Sequence, residues 1–390
     1  MSAWYSEVEL QRTLGGRSAD AQRTPALARG FSLLVVKVGT AREAAIDWLM
    51  QHASQRVWFR GAYFIGSTVG LPEDSELATG SDIDVALVTS EAAPPPKPGK
   101  LLHKGALLEI SLRPWQQLSS IDEVMRSYHL AAGLRVNTII ADPMGGLRIL
   151  QQNVARHFTE EVWVRRRCED ARQGVENWLK RIDRSEPWHD QVTAWLFGTG
   201  VTTHVLLVAA LRNPTIRLRY LTVRDVLEEY GRIALYPDLL QLLGCAELTA
   251  DRVEHHLVAL ARNFDAAAAA ATSQFFFSSD ITSAARSISI EGMRDLIRAG
   301  NHREAVFWIV ATFARCYKIL SADAPQSAQR EFAPAFDDVL ADLGIFSTDD
   351  LIRRAESVVQ FLPALWENAE GIIAANPGVT RKLPGLPGRH

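Results

Sequence analysis

A chain of 390 residues, 47% hydrophobic and 22% charged, has room for two or three domains with sizeable cores and the composition of a soluble globular protein. A formal net charge of −3 excludes the strongly basic balance that binds nucleic acid by charge alone. Cys168, Cys245 and Cys316 are far apart, odd in number and without CxxC spacing, which argues against a disulfide framework or a zinc site and for a reducing, cytoplasmic setting.

Residues 1–30 carry Arg12, Arg17, Arg23 and Arg29 but no apolar segment of secretory length, and read as a loosely ordered arm. TAREAAIDWLMQHASQ (40–55) predicts an amphipathic helix, with Thr40 and Glu43 at capping-box spacing and Ala44, Trp48 and Leu49 on one stripe. VWFRGAYFIGS (57–67) reads as a strand running into a tight turn at Gly66, and DIDVALV (82–88) as a buried strand. The four prolines of SEAAPPPKPGK (90–100) predict a connection outside the sheet. ALLEISL (106–112) and NTIIADPMGGL (137–147) supply two further strands, the second closed by Asp-Pro and Gly-Gly turns.

Beyond Leu147 the pattern turns helical, with prolines at 187, 214, 237, 325 and 334 expected to interrupt it. Trp195–Leu211 falls short of the roughly 20 residues of a membrane span and predicts a buried core helix. The alanines at 266–271 are good helix formers. The expected organisation is therefore α+β: a small mixed-sheet domain (31–146), a large all-helical domain (147–375), and a fraying Pro/Gly tail (376–390).

The chemistry is concentrated at the start of DIDVALV. Side chains alternate along a strand, so Asp82 and Asp84 share a face. Two like charges about 4 Å apart repel by about 1 kcal/mol in water and about 4 kcal/mol at an effective dielectric of 20, a penalty a divalent cation reverses. All-oxygen ligands favour Mg²⁺ or Mn²⁺. Glu109, the lone charge of its strand, shares a face with Leu107 and Ser111; if that strand pairs with DIDVALV, three acids converge and can hold two cations about 3.5 to 4 Å apart. Gly66 and Ser67 offer a turn whose N–H groups and hydroxyl can cradle phosphate. The bland alternatives are acids solvated at a strand start or bonded to Thr79 and Ser81, Glu109 as an edge-strand charge facing water, and Ser67 as a structural cap.

Gly66-Ser67, a spacer, Asp82-Ile83-Asp84-Val85 and the later strand with Glu109 resemble the nucleotidyltransferase fold of the DNA polymerase beta superfamily over roughly residues 57–147. The helical half resembles, in architecture, that of aminoglycoside- and lincosamide-type antibiotic nucleotidyltransferases. The resemblance implies that Asp82, Asp84 and Glu109 bind Mg²⁺ and that Gly66 and Ser67 contact a nucleoside triphosphate co-substrate. It implies transfer of AMP from ATP to a hydroxyl of a small molecule such as an antibiotic, releasing pyrophosphate, in a monomer or homodimer. The alternatives are transfer to RNA or a protein hydroxyl, and a catalytically silent nucleotide sensor that binds a partner. The spacer of 14 residues between Ser67 and Asp82 is longer than the family pattern, and its Glu73, Asp74 and Glu76 are placed to line an acceptor entrance or simply face solvent.

Lys318, with Tyr317 late in a strong helix, is a candidate for the triphosphate, as basic residues in related helical domains are. Arg212, Arg217, Arg219 and Arg224 read as a solvated loop, and Arg165–Arg167 spread around a helix instead of forming a patch. His204, His255 and His256 lack HExxH spacing and read as structural, and no Walker-type GxxxxGK[ST] occurs.

Overall fold

A computed structural model describes residues 36–78, 80–90 and 97–381. The expected arm at 1–30 and the tail beyond Arg381 lie outside them. A small mixed sheet comes first and is followed by a long series of helices. The sheet has the strand order β3-β4-β2-β1-β5, with β1 at Phe59–Ile65, β2 at Ile83–Thr89, β3 at Gly99–His103, β4 at Ala106–Pro114 and β5 at Ile139–Ala141.

Helix α1 (Val38–His52) starts two residues before Thr40, and no side chain caps it. The capping-box expectation fails because backbone carbonyls of the spacer do the work: Val38 N–H donates to Ser75 and Gly39 N–H to Glu73, at 2.9 and 2.8 Å. The acids Glu73, Asp74 and Glu76 are exposed, so the spacer's main chain is fixed while its side chains face outward.

Central β2 is buried on both faces. Ile83, Val85 and Leu87 pack with Ala41, Ala44, Ala45 and Leu49 of α1, while Ala86 and Val88 face α2 (Ile121–Arg126), α3 (Tyr128–Leu134) and α4 (Gly146–His157). Leu147, Leu150, Val154 and Phe158 belong to this second core, so the sheet's own packing extends past the boundary expected at 147. Strand β3 was hidden by the prolines before it. A two-residue turn makes it possible: Lys104 and Gly105 both take positive φ (47° and 81°), the geometry that closes a tight hairpin onto β4.

The helices that follow are α5 (Glu161–Leu179), α6 (Trp188–Ala209), α7 (Arg219–Glu229), α8 (Tyr236–Leu243), α9 (Ala250–Ala270), α10 (Gly292–Arg298), α11 (His302–Asp323), α12 (Gln326–Asp342) and α13 (Thr348–Ala375). Pro187 and Pro325 stand before α6 and α12 and Pro237 sits in the first turn of α8, as expected, but Pro334 lies inside α12. Pro334 is exposed, so solvent can bond the carbonyl it frees. Helices α6 and α11 are long and apolar enough to cross a membrane, yet 94% and 78% of their apolar windows are buried inside the protein, as in core helices. The start of the expected tail is docked: Asn376 bonds the Ala209 carbonyl at 3.3 Å, and Thr380 N–H donates to Thr159 at 2.8 Å.

Candidate active site

The parallel pairing of β2 with β4 sets Asp84 directly beside Glu109, on the face opposite Ile83 and Val85. Asp82, Asp84 and Glu109 each bring a carboxylate oxygen within 4.8 Å of the others. The antiparallel pairing of β1 with β2 puts Ile65 opposite Asp84, so the chain leaves β1 into Gly66-Ser67 against that carboxylate. Gly66 has φ +81°, and a Cβ there would lie 1.9 Å from Asp84 Oδ2. Gly66→Ala should therefore destabilise the protein by more than about 1 kcal/mol, the left-handed backbone penalty alone, and shift the urea midpoint accordingly. Ser67 opens a short 3₁₀ turn (Ser67–Gly70) and is exposed. Arg42 of α1 donates to the Thr68 and Val69 carbonyls at 2.8 and 3.2 Å, and the trans peptide geometry turns those units' N–H groups the other way.

Sequence reasoning missed the cations. Antiparallel register places Lys100 of β3 across from Glu109, and its ammonium, 6% exposed, contacts Glu109, Asp82 at 2.6 Å and Asp280 at 3.6 Å. Lys97 adds a longer pair with Glu109 at 3.5 Å. Asp280 arrives from the helical half, where Arg315 of α11 holds it at 2.9 Å. The two halves meet closely here, since a Cβ on Gly99 would lie 2.2 Å from Ser279 Oγ and one on Gly80 2.8 Å from the Ser287 carbonyl. The detectable signal was the Lys-Gly turn after an apolar pair; nothing local marks Asp280.

Electrostatics separate the acids. Burial, reinforced by the charges of Asp82 and Glu109, pushes the Asp84 carboxyl well above the usual carboxylate range. Burial also raises Asp82, against the pull of Lys100. Glu109 goes the other way: burial would raise it, but Lys100 and Lys97 outweigh that and bring it down to about 2. Burial disfavours the Lys100 ammonium, yet Glu109, Asp82, Asp280 and Asp84 hold its pKa well above the ordinary value. Stability supplied by Glu109 is thus present above its ordinary pKa of 4.5 and lost as pH falls toward 2, so Glu109→Gln should flatten the acid limb of urea midpoint against pH.

The arginine series is not a solvated loop. Arg217 is half-buried, depressed by burial and steadied by the charges of Asp82 and Asp84. Arg219 is 1% exposed over the Phe307 ring at 3.9 Å, and Arg224 pairs with Glu304 at 2.6 Å. Only Arg212 of the series is exposed, beside Glu229. Lys318 pairs with Asp190, gripping both oxygens at 2.7 and 2.8 Å, one helical turn beyond Arg315. His204 is buried and bonds the Thr215 carbonyl at 2.9 Å, as a structural histidine does.

No family model, curated protein or solved structure matches this chain, which leaves the geometry as the ground for a functional reading.

Proposed function

We propose that the chain is a Mg²⁺-dependent nucleotidyltransferase that moves a nucleoside monophosphate, AMP from ATP, onto a hydroxyl of a small molecule with release of pyrophosphate. The observation that carries this reading is the convergence of Asp82, Asp84 and Glu109 beside the Gly66-Ser67 turn, on neighbouring parallel strands.

The donor set fits a hard divalent ion: three carboxylates and no nitrogen or sulfur, two of them, Asp82 and Glu109, already paired with the Lys100 ammonium, a monovalent cation. Asp82, Asp84 and Glu109 would hold the metal; Mn²⁺ suits the same oxygens. When bound, the ion supplies charge neutralisation at the attacked phosphate and at the departing pyrophosphate. Glu109 is held ionised by its lysines, the form that ligates a cation; it would take the acceptor hydroxyl's proton only once Lys100 gives way, since the lysines lower its basicity. The exposed Ser67 hydroxyl and the N–H groups of its turn can bond phosphate oxygens. Arg217 and Arg315 bring positive charge from the helical half to the same corner, suited to triphosphate oxygens.

The ion pairs of Lys100 with Asp82 and Glu109 favour a second reading, a silent nucleotide sensor whose acids are neutralised internally. Incubation with α-labelled triphosphates, Mg²⁺ and panels of hydroxylated small molecules, tRNA and proteins separates the two. Label on a small molecule with pyrophosphate release is expected. Nucleotide binding without release under every condition favours the sensor, and label confined to RNA or protein moves the acceptor.

A further inference from the structure

Helices α9 and α12 carry a second cluster, outside the acid site. His255, His256 and Asp338 bring ligand atoms within 4.8 Å of one another. His256 is 1% exposed, and its Nε2 lies 2.7 Å from Asp342 Oδ2. An ionised carboxylate only accepts, so Nε2 carries the ring proton and Nδ1 presents a lone pair. Nδ1 has no hydrogen-bond partner among the described residues and faces Asp338 Oδ2 at 3.8 Å. A buried ring nitrogen without a donor thus lies beside an oxygen of the half-exposed Asp338 carboxylate.

His255 Nε2 lies 3.5 Å from the same Asp338 oxygen. The other oxygen, Oδ1, is bound by Arg252 at 2.7 Å, which fixes the carboxylate's orientation. Metal bonds of about 2.0 to 2.2 Å in a tetrahedral shell set ligand atoms about 3.3 Å apart, so the 3.5 and 3.8 Å spacings from Asp338 to the two rings close with movements of a few tenths of an ångström. Arg252 also pairs with Asp342; one guanidinium against Asp338 and Asp342 leaves a net negative charge beside two imidazoles. Asp342 behind His256 is the carboxylate–histidine support that orients metal-binding rings.

We propose that His255, His256 and Asp338 form a binding site for one divalent transition-metal ion of the zinc class, tying α9 to α12. Two nitrogens and one oxygen suit that class and disfavour Mg²⁺. His255 is the exposed ligand, with its side chain 59% accessible, and the site is reached from its side. The role is structural, since it clamps two helices that also share the Arg252 pairs.

The test is titration of the full chain with Zn²⁺ against a metallochromic chelator, in excess Mg²⁺ to occupy all-oxygen sites, with Co²⁺ absorption as a second readout. One equivalent should bind at micromolar concentration, with a visible Co²⁺ spectrum of tetrahedral intensity and a rise in the thermal midpoint. His255→Gln, at an exposed position that leaves folding intact, and Asp338→Asn should each weaken binding by at least about tenfold, and Asp342→Asn by about 10- to 100-fold. Absence of Zn²⁺ binding in the wild type overturns the proposal. So does equal binding in the wild type and His255→Gln, or a weak octahedral Co²⁺ spectrum, either of which places the ion elsewhere.

Discussion

Replacing Asp84 by Asn is expected to abolish nucleotidyl transfer and, at the same time, to raise the thermal midpoint of the metal-free protein. The rate should fall by at least about 10³-fold, some 4 kcal/mol of barrier, because the substitution removes a proposed metal ligand at the reacting phosphate. The stability change has the opposite sign because Asp84 is half-buried among like charges, and Asn keeps its shape against Gly66 without the charge. A gain of about 1 to 3 kcal/mol is in scale for relieving a half-buried, poorly paired charge. The sign with pH follows. A carboxyl whose folded pKa is raised contributes stability below its ordinary pKa and loses it as pH rises through the raised value. The wild type should therefore fall further behind the Asn variant as pH rises, and Mg²⁺ should narrow the gap. Pyrophosphate release and calorimetric midpoints across pH read both effects; wild-type transfer, or a variant less stable than its parent, would sink the idea.

Removing the competing cation has the reverse signature. Lys100→Met leaves Asp82 and Glu109 without their close ammonium and should destabilise the metal-free protein by about 3 to 5 kcal/mol, the range for breaking one partner out of a buried pair. Mg²⁺ should restore most of that loss, since an ion that binds only the folded state stabilises it by mass action. Mg²⁺ should also bind the variant about tenfold more tightly or better, because no ammonium has to be displaced from the oxygens. Titration calorimetry and thermal midpoints with and without Mg²⁺ measure this, and the same Mg²⁺ dependence in both proteins would show that lysine and ion do not share a place. Transfer assays on Lys100→Met with Mg²⁺ also bear on the silent reading: a variant that gains Mg²⁺ and still transfers nothing favours the sensor.

The Asp82 and Asp84 pair was legible because its information is local. Period-two alternation places Asp82 and Asp84 together, and Glu109 joins them once β2 pairs with β4. Gly66 was readable for the same reason: a small residue at a strand end beside a carboxylate. Lys100 was not, because its position depends on a five-residue edge strand behind a proline run and on a register set by the turn at Lys104-Gly105. Asp280 is 180 residues farther along, and only packing of the two halves brings it to Lys100. Arg219 misled because arginines near a proline resemble a surface loop, whereas stacking on Phe307 lets a guanidinium lie in the core. The helix start at Val38 escaped detection because its cap is main chain from a distant loop, which leaves no side-chain signature.

The charges gathered where sheet meets helices have a consequence for how ligands arrive. Asp82, Asp84, Glu109 and Asp280 stand among Lys97, Lys100, Arg217 and Arg315, so this corner is close to electrically balanced and projects little field of either sign. A polyanion is then neither drawn in nor turned away from a distance. Encounter proceeds at the rate of unsteered diffusion and varies little with ionic strength, and discrimination begins only at contact, where ion pairs within the protein are exchanged for ion pairs with the ligand.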